Sequence, residues 1–297
     1  MKLFQNILLL GAMLLSFTAK ADDNGRLFII GSATPYGWEL DMAQSLLSTP
    51  DNPGVYTGTI YLKGGEENTF KFMEAHEWGN TEYGIPAASA VQGNIQLASG
   101  TLDNGYSQMY VTENGNYNIS IDTNNLVGVI KPSDYQENEI KYCSLFLIGD
   151  ATDGGWTVEN GTPLYQTKTA PYEYSAIVPL KSQGSFKIAN ALRGAGSWNP
   201  QYYYFKDVND DTKISTDSTD DRQWSVSSDG DYRVTVNVIS HTISILSATG
   251  IEENTNSAVE TNIPSVYYNL QGNKINQPST GIYIEIRGNK ATKIIRH

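Results

Sequence analysis

Leu27-Phe-Ile-Ile-Gly-Ser-Ala-Thr-Pro-Tyr-Gly-Trp38 returns 118 residues later as Leu145-Phe-Leu-Ile-Gly-Asp-Ala-Thr-Asp-Gly-Gly-Trp156. An internal repeat fixes the architecture before any single element is assigned. Working outward, Phe70-Lys71-Phe72 returns as Phe186-Lys187-Ile188 after 116 residues. Trp78, followed by Tyr83, returns after 120 as Trp198, followed by Tyr202 and Tyr203. Gln108-Met-Tyr-Val-Thr-Glu-Asn-Gly-Asn-Tyr117 returns after 115 as Gln223-Trp-Ser-Val-Ser-Ser-Asp-Gly-Asp-Tyr232. Four blocks in one order, with slightly drifting offsets, mean a duplication with loop insertions.

Each copy reads as β. Leu27–Gly31 and Leu145–Gly149 are short apolar runs ending in glycine. Tyr56–Leu62 and Tyr174–Leu180 are aromatic and β-branched, with weak alternation. Asn116–Asp122 and Tyr232–Ile239 alternate more cleanly, with Tyr117, Ile119 and Ile121 on one face, matched by Tyr232, Val234 and Val236. Asn114-Gly115 and Asp229-Gly230 are turn signals ahead of these strands. Only Met42–Leu47 is expected to hold a helical turn or two. Short strands separated by turns predict an all-β chain of two antiparallel sandwich modules, over residues 25–132 and 141–248. A polar linker with Pro132 joins them, from about Lys131 to Lys141. Residues 249–264 read as a flexible linker, and 265–297 as a short β segment too small to hold much of a core alone.

The amino terminus reads as an export signal over residues 1–21. Lys2 gives the positive start, Ile7–Phe17 the apolar run, and Ala19-Lys20-Ala21 the small-x-small pattern. That run is too short to span a bilayer. The sole cysteine, Cys143, precludes an intramolecular disulfide and reads as a buried, inert thiol. A net charge of −12 argues against nucleic acid and anionic membranes as partners, since both require basic surface. A neutral ligand meets no such repulsion.

The string Ile-Gly-x-Ala-Thr-x-x-Gly-Trp, followed by Phe70-Lys71-Phe72 and Trp78 and then repeated, resembles the module of the SusE/SusF family. These are starch-binding outer-membrane proteins of Bacteroidota. The resemblance covers about 220 residues and implies an immunoglobulin-like β-sandwich that binds α-glucan without cutting it. The tail, Val266-Tyr-Tyr-Asn-Leu-Gln-Gly-Asn-Lys274 with Gly281-Ile-Tyr-Ile284, is similar to type IX secretion sorting segments of the same phylum. SusE and SusF are lipoproteins, whereas this chain lacks the lipobox cysteine, so the tail is expected to supply surface targeting. Cell surface, extracellular space and periplasm are the compartments this reading allows. An outer-membrane glycan-uptake complex is the implied assembly.

Glycan recognition needs flat apolar faces for sugar C–H surfaces and a few fixed polar groups for hydroxyls. The resemblance carries that role onto Trp38, Lys71, Trp78 and Tyr83 in the first copy and Trp156, Lys187, Trp198 and Tyr202 in the second. The family also uses a downstream arginine. The first copy has none between Trp78 and its last strand, and the second offers Arg193, Lys213 or Arg222. The other reading makes the tryptophans core residues and the lysines solvated ones, because Trp is mostly buried in sandwiches. Polar neighbours around Trp78 and Trp198 favour exposure, whereas Trp224, aligned with Met109 at a strand start, reads as core. Asp207-x-Asn209-x-Asp211 starts like a calcium loop, but Thr212 and Ser218 stand where Gly and Glu belong, so an acidic loop is the default.

An enzyme is not expected. A glycosidase needs two carboxylates across a cleft, and Glu66, Glu67, Glu74 and Glu77 have no matching acids in the second copy. No cofactor is called for. The expectation is a non-catalytic carbohydrate-binding protein; the alternative is a structural or adhesive surface protein that uses its sandwiches for protein contacts.

Overall fold

The computed structural model describes residues 25–100, 108–191, 203–216 and 221–248, and further along the strands 266–269, 274–275, 281–287 and 290–296. The expected export signal, Trp198, Tyr202, Arg193 and the 249–264 linker lie outside the described residues. Contacts divide the chain at Thr249/Gly250 into two units. Among the described residues no helix is long and apolar enough to cross a membrane.

The first repeat carries β1 (Arg26–Ile30), β2 (Gln44–Thr49), β3 (Asn52–Leu62), β4 (Lys71–Met73), β5 (Glu82–Gly84), β6 (Ser89–Ala90), β7 (Gly93–Gln96), β8 (Ala98–Gly100), β9 (Met109–Tyr110), β10 (Gly115–Asp122) and β11 (Val127–Pro132). Its main sheet runs β7-β11-β10-β3-β2-β1-β4-β5-β8. The second repeat carries β12 (Ser144–Ile148), β13 (Thr162–Gln166), β14 (Glu173–Leu180), β15 (Lys187–Ala189), β16 (Tyr203–Lys206), β17 (Ile214–Ser215), β18 (Gly230–Asn237) and β19 (Thr242–Ser247). Its sheet runs β17-β16-β15-β12-β13-β14-β18-β19. Read from the other end, it is the first sheet strand for strand, without the extra β7. The chain is all-β, and the duplication in sequence is a duplication in topology.

Each sheet curls round its own core, so strands far apart in the order share one apolar cluster. Leu27, Ile29, Leu46, Ile60, Phe72, Tyr117, Ile119 and Ile121 fill the first, and Leu145, Leu147, Leu164, Val178, Ile188, Tyr232, Val234 and Val236 the second. Trp224 is buried in the second core beside Phe186, and its backbone pairs with Phe186 as that of Met109 pairs with Phe70. The alternation expected for β10 and β18 is present. The central strands β1 and β12 are buried on both faces, which explains why they read as unbroken apolar runs.

One sequence expectation changes. Met42–Leu47 is not helical: a single 3₁₀ turn, Leu40–Met42, leads into strand β2. Leu46 and Leu47 mimic a helical face because both are buried, Leu46 in the first core and Leu47 in a cluster shared with the second module. The polar linker from Lys131 to Lys141 is held by side-chain bonds. Asn116 donates through its side chain to the carbonyls of Tyr135 and Asn138, and its own side-chain oxygen accepts from Ile140 N–H. Cys143 follows and is buried in the first core, where desolvation pushes its thiol pKa far up. It is inert by burial.

The second unit is a four-stranded antiparallel sheet, ordered β21-β20-β22-β23, from β20 (Val266–Asn269), β21 (Lys274–Ile275), β22 (Gly281–Arg287) and β23 (Lys290–Arg296). All four lie within residues 265–297, the stretch that reads as a short β segment.

A tryptophan and lysine cluster on the outer face of each sheet

The repeated loop after β1 explains its own sequence. Gly31 N–H bonds Gly37 O at 3.0 Å, and the Thr34 hydroxyl bonds Gly31 O at 2.9 Å. The second copy makes the same bonds, Gly149 to Gly155 at 2.9 Å and Thr152 to Gly149 at 2.8 Å. A Cβ on Gly31 would stand 2.1 Å from Thr69 O, and one on Gly149 would stand 2.0 Å from Ser185 O. Gly37 and Gly155 have φ of +64° and +60°, the left-handed region that favours glycine. Ala33 and Ala151 are fully buried, where a larger side chain has no room. Each residue of the Gly-x-Ala-Thr-x-x-Gly string thus has a backbone reason. Its product is the placement of Trp38 or Trp156.

Pairing brings the lysine to that tryptophan. Ile30 pairs with Lys71 and Ile29 with Phe72, so Phe72 enters the core and Lys71 shares the outer face with Ile30. The Lys71 ammonium lies 5.8 Å from the Trp38 ring centroid and 5.0 Å from that of Trp78. It donates to Glu82 Oε2 at 2.6 Å. Lys71 and Glu82 are both almost wholly buried, whereas Trp38 is 38% and Trp78 44% exposed. The ammonium therefore pins two indoles from beneath, through cation–π attraction of about 0.5–2 kcal/mol each, and leaves indole surface open to solvent. Of the two readings of the sequence, neither a buried core tryptophan nor a solvated lysine describes this group.

In the second copy Ile148 pairs with Lys187. Its ammonium lies 5.8 Å from the Trp156 ring, 4.9 Å from Tyr203 and 5.3 Å from Phe205, and donates to Asp221 Oδ1 at 2.9 Å. Trp156, Lys187, Asp221 and Gln223 line an open cavity of about 290 Å³. Larger grooves of about 680 Å³ and 530 Å³ lie elsewhere, beside β18–β19 and between the two modules. Neither groove includes any of these tryptophans or lysines.

Tyr83 takes a different place from the one expected. It pairs with Phe72 and faces the first core, 6% exposed, so it offers no edge to the indole surface. By register its counterpart is Tyr204, which pairs with Ile188 and is likewise core, rather than Tyr202. Glu82, Tyr203, Phe205 and Asp221 were not singled out in the sequence. A signal for Glu82 existed: alternation along β5 puts it on the face opposite Tyr83, where a lysine among apolar neighbours needs a counter-charge. The repeat hides it, because the position matching Glu82 is Tyr203. Lys213 pairs with Asp210 away from the cavity, and Arg222 is a half-buried neighbour of Asp221. In the acidic loop, Asp207 Oδ1 accepts the backbone N–H groups of Asn209 and Asp210, and Asp211 pairs with Lys206 at 3.0 Å.

Residues 26–129 match the family model described as SusF/SusE starch specific CBMs, carbohydrate-binding modules. No curated protein matches the chain. Among solved structures it is similar to SusF from Bacteroides thetaiotaomicron, at 17% identity and a TM-score of 0.34, over 90% of this chain and 58% of that one. The chain thus spans a little over half the length of that protein. Residues 26–129 are thus similar to the SusF/SusE module, and residues 144–247 repeat their strand order together with their lysine and first tryptophan.

Proposed function

We propose that the chain binds starch-type α-glucan without cutting it, through indole surface held on a buried lysine in each module. One observation carries this reading: the fold places a half-exposed Trp over a buried Lys at the same register in both copies. Sequence drift around the site has been large, so a shared geometry speaks for a shared ligand surface. Flat apolar faces beside fixed polar groups suit the C–H and hydroxyl surfaces of a neutral sugar, and the family description supports starch as that sugar. In the first module Trp38 and Trp78 form the contact surface and Lys71 positions them. In the second, Trp156 and the Lys187–Asp221 pair line the site, with Trp198 and Tyr202 as its further contacts. Two weak sites on one polymer gain through effective concentration. Export, surface placement by the tail, and a role in polysaccharide capture complete the proposal.

Affinity electrophoresis in starch-containing gels tests it. Trp38→Ala with Trp78→Ala, and separately Trp156→Ala, should each weaken retardation about tenfold, or ~1.4 kcal/mol. All three together should abolish it. A wild-type chain that migrates unretarded would overturn the assignment and favour an adhesive protein.

A further inference from the structure

We propose that Arg26, the first residue of β1, is a positioning residue for the second module's aromatic site. Its guanidinium donates to Glu159 O at 2.6 Å and Gly161 O at 2.7 Å, lies 4.9 Å from the Phe146 ring centroid, and is buried. Glu159 and Gly161 flank Asn160 at the end of the 3₁₀ turn Val158–Asn160 that follows Trp156. Asn160 O in turn sits where a Cβ on Gly154 would come within 2.0 Å, so the turn bears directly on Gly154-Gly155-Trp156. Carbonyls at the end of a short turn have no partner within it, and a planar, forked guanidinium satisfies two at once. The contact is made from the other module.

The first module holds its own turn differently, from within and at another carbonyl. Its turn, Leu40–Met42, is closed by Gln44 Nε2 donating to Met42 O at 2.9 Å. The position matching Gln44 is Thr162, and the position matching Arg26 is Ser144, which donates to Ser45 O at 2.8 Å. Residues at one repeat position therefore reach across the module junction in both directions, but only Arg26 grips a tryptophan loop. Met42 and Leu47 of the first module extend the contact into the cluster of Phe146, Val158, Tyr203 and Phe205, two of which lie against Lys187.

The inference rests on the binding function proposed above, so its test has an arm that needs no glycan. In the full chain, Arg26→Ala should raise backbone hydrogen exchange at Asn160–Thr162 at least tenfold and leave the Leu40–Ala43 turn within twofold of wild type. Equal acceleration of both turns, or of neither, overturns the proposal. In starch gels, Arg26→Ala placed on a Trp38→Ala/Trp78→Ala background should weaken the remaining retardation at least fivefold. On a Trp156→Ala background it should change retardation less than twofold. Arg26→Lys should recover only part of the loss, because an ammonium cannot hold both carbonyls in one plane. Ser144→Ala, which cuts the opposite arm of the junction, should spare the second site; a matching loss there would make Arg26 a generic interface residue. A parent chain that starch does not retain refutes the function, while the exchange result still decides the brace.

Discussion

The two modules hold one geometry with different partners. In the first, Lys71 is neutralised within the sheet by Glu82, one strand away and buried with it. In the second, aromatic Tyr203 takes the place of Glu82, and the counter-charge comes from Asp221, whose side chain is 57% exposed. In the first module Gln44 bonds the Met42 carbonyl of its own tryptophan turn, while the second module's turn is held at Glu159 O and Gly161 O by Arg26 from across the junction. What both keep without change is the backbone of the Gly-x-Ala-Thr-x-x-Gly loop. The loop is steric and admits few substitutions; the charge around the lysine only has to balance.

The largest difference between the modules should appear on removing the lysines. Lys71→Met removes the ammonium from a buried carboxylate, at a cost of about 3–5 kcal/mol. Lys187→Met should cost about 1 kcal/mol, since Asp221 turns to water. Urea unfolding of the full chain measures both, and equal losses would break the comparison. Adding Glu82→Leu to Lys71→Met should restore much of the loss.

The loop glycines should respond alike in the two modules. Ala at Gly31 or Gly149 drives a Cβ into a backbone carbonyl and should cost about 2–4 kcal/mol. Ala at Gly37 or Gly155 meets open space and pays only for its left-handed backbone, about 1 kcal/mol. Thermal unfolding of the four variants tests the pairing. Matched losses within each pair sharpen the claim that the loop is the shared element.

The smallest expected effect is a pH dependence confined to one module. In the first, the Asn114 side-chain oxygen accepts Gly64 N–H at 2.8 Å; in the second, Asp229 accepts Ser182 N–H at 2.8 Å and its hydroxyl at 2.7 Å. The Ser182 backbone bond, then its side-chain bond, hold the Asp229 carboxyl pKa below its usual value. A depressed folded pKa means stability that is complete above the unfolded carboxylate range, near pH 4, and lost as pH falls through the folded value. Asp229→Asn should therefore flatten the acid side of the stability profile slightly, while Asn114→Asp should steepen it. Melting curves between pH 3 and 6 read both.

Local words in the sequence made the repeat, the strands and the Trp and Lys positions legible, because steric and alternation rules act between near neighbours. Glu82 and Asp221 were not legible as lysine partners: one is set by strand register and the other lies 34 positions along the chain, past two further strands. Leu46-Leu47 misled for a related reason, since a strand buried on both faces by two modules loses its alternation.

The sequence by itself determined the duplication, the all-β fold and the loop that presents each tryptophan. Those follow from backbone sterics and apolar periodicity, which are written in contiguous residues. Only the tertiary structure decided that the lysines are buried pins beneath half-exposed indoles, that Tyr83 belongs to the core, and that Arg26 serves its neighbour. Burial and charge pairing depend on which distant strands meet, and the junction joins residues more than 130 positions apart.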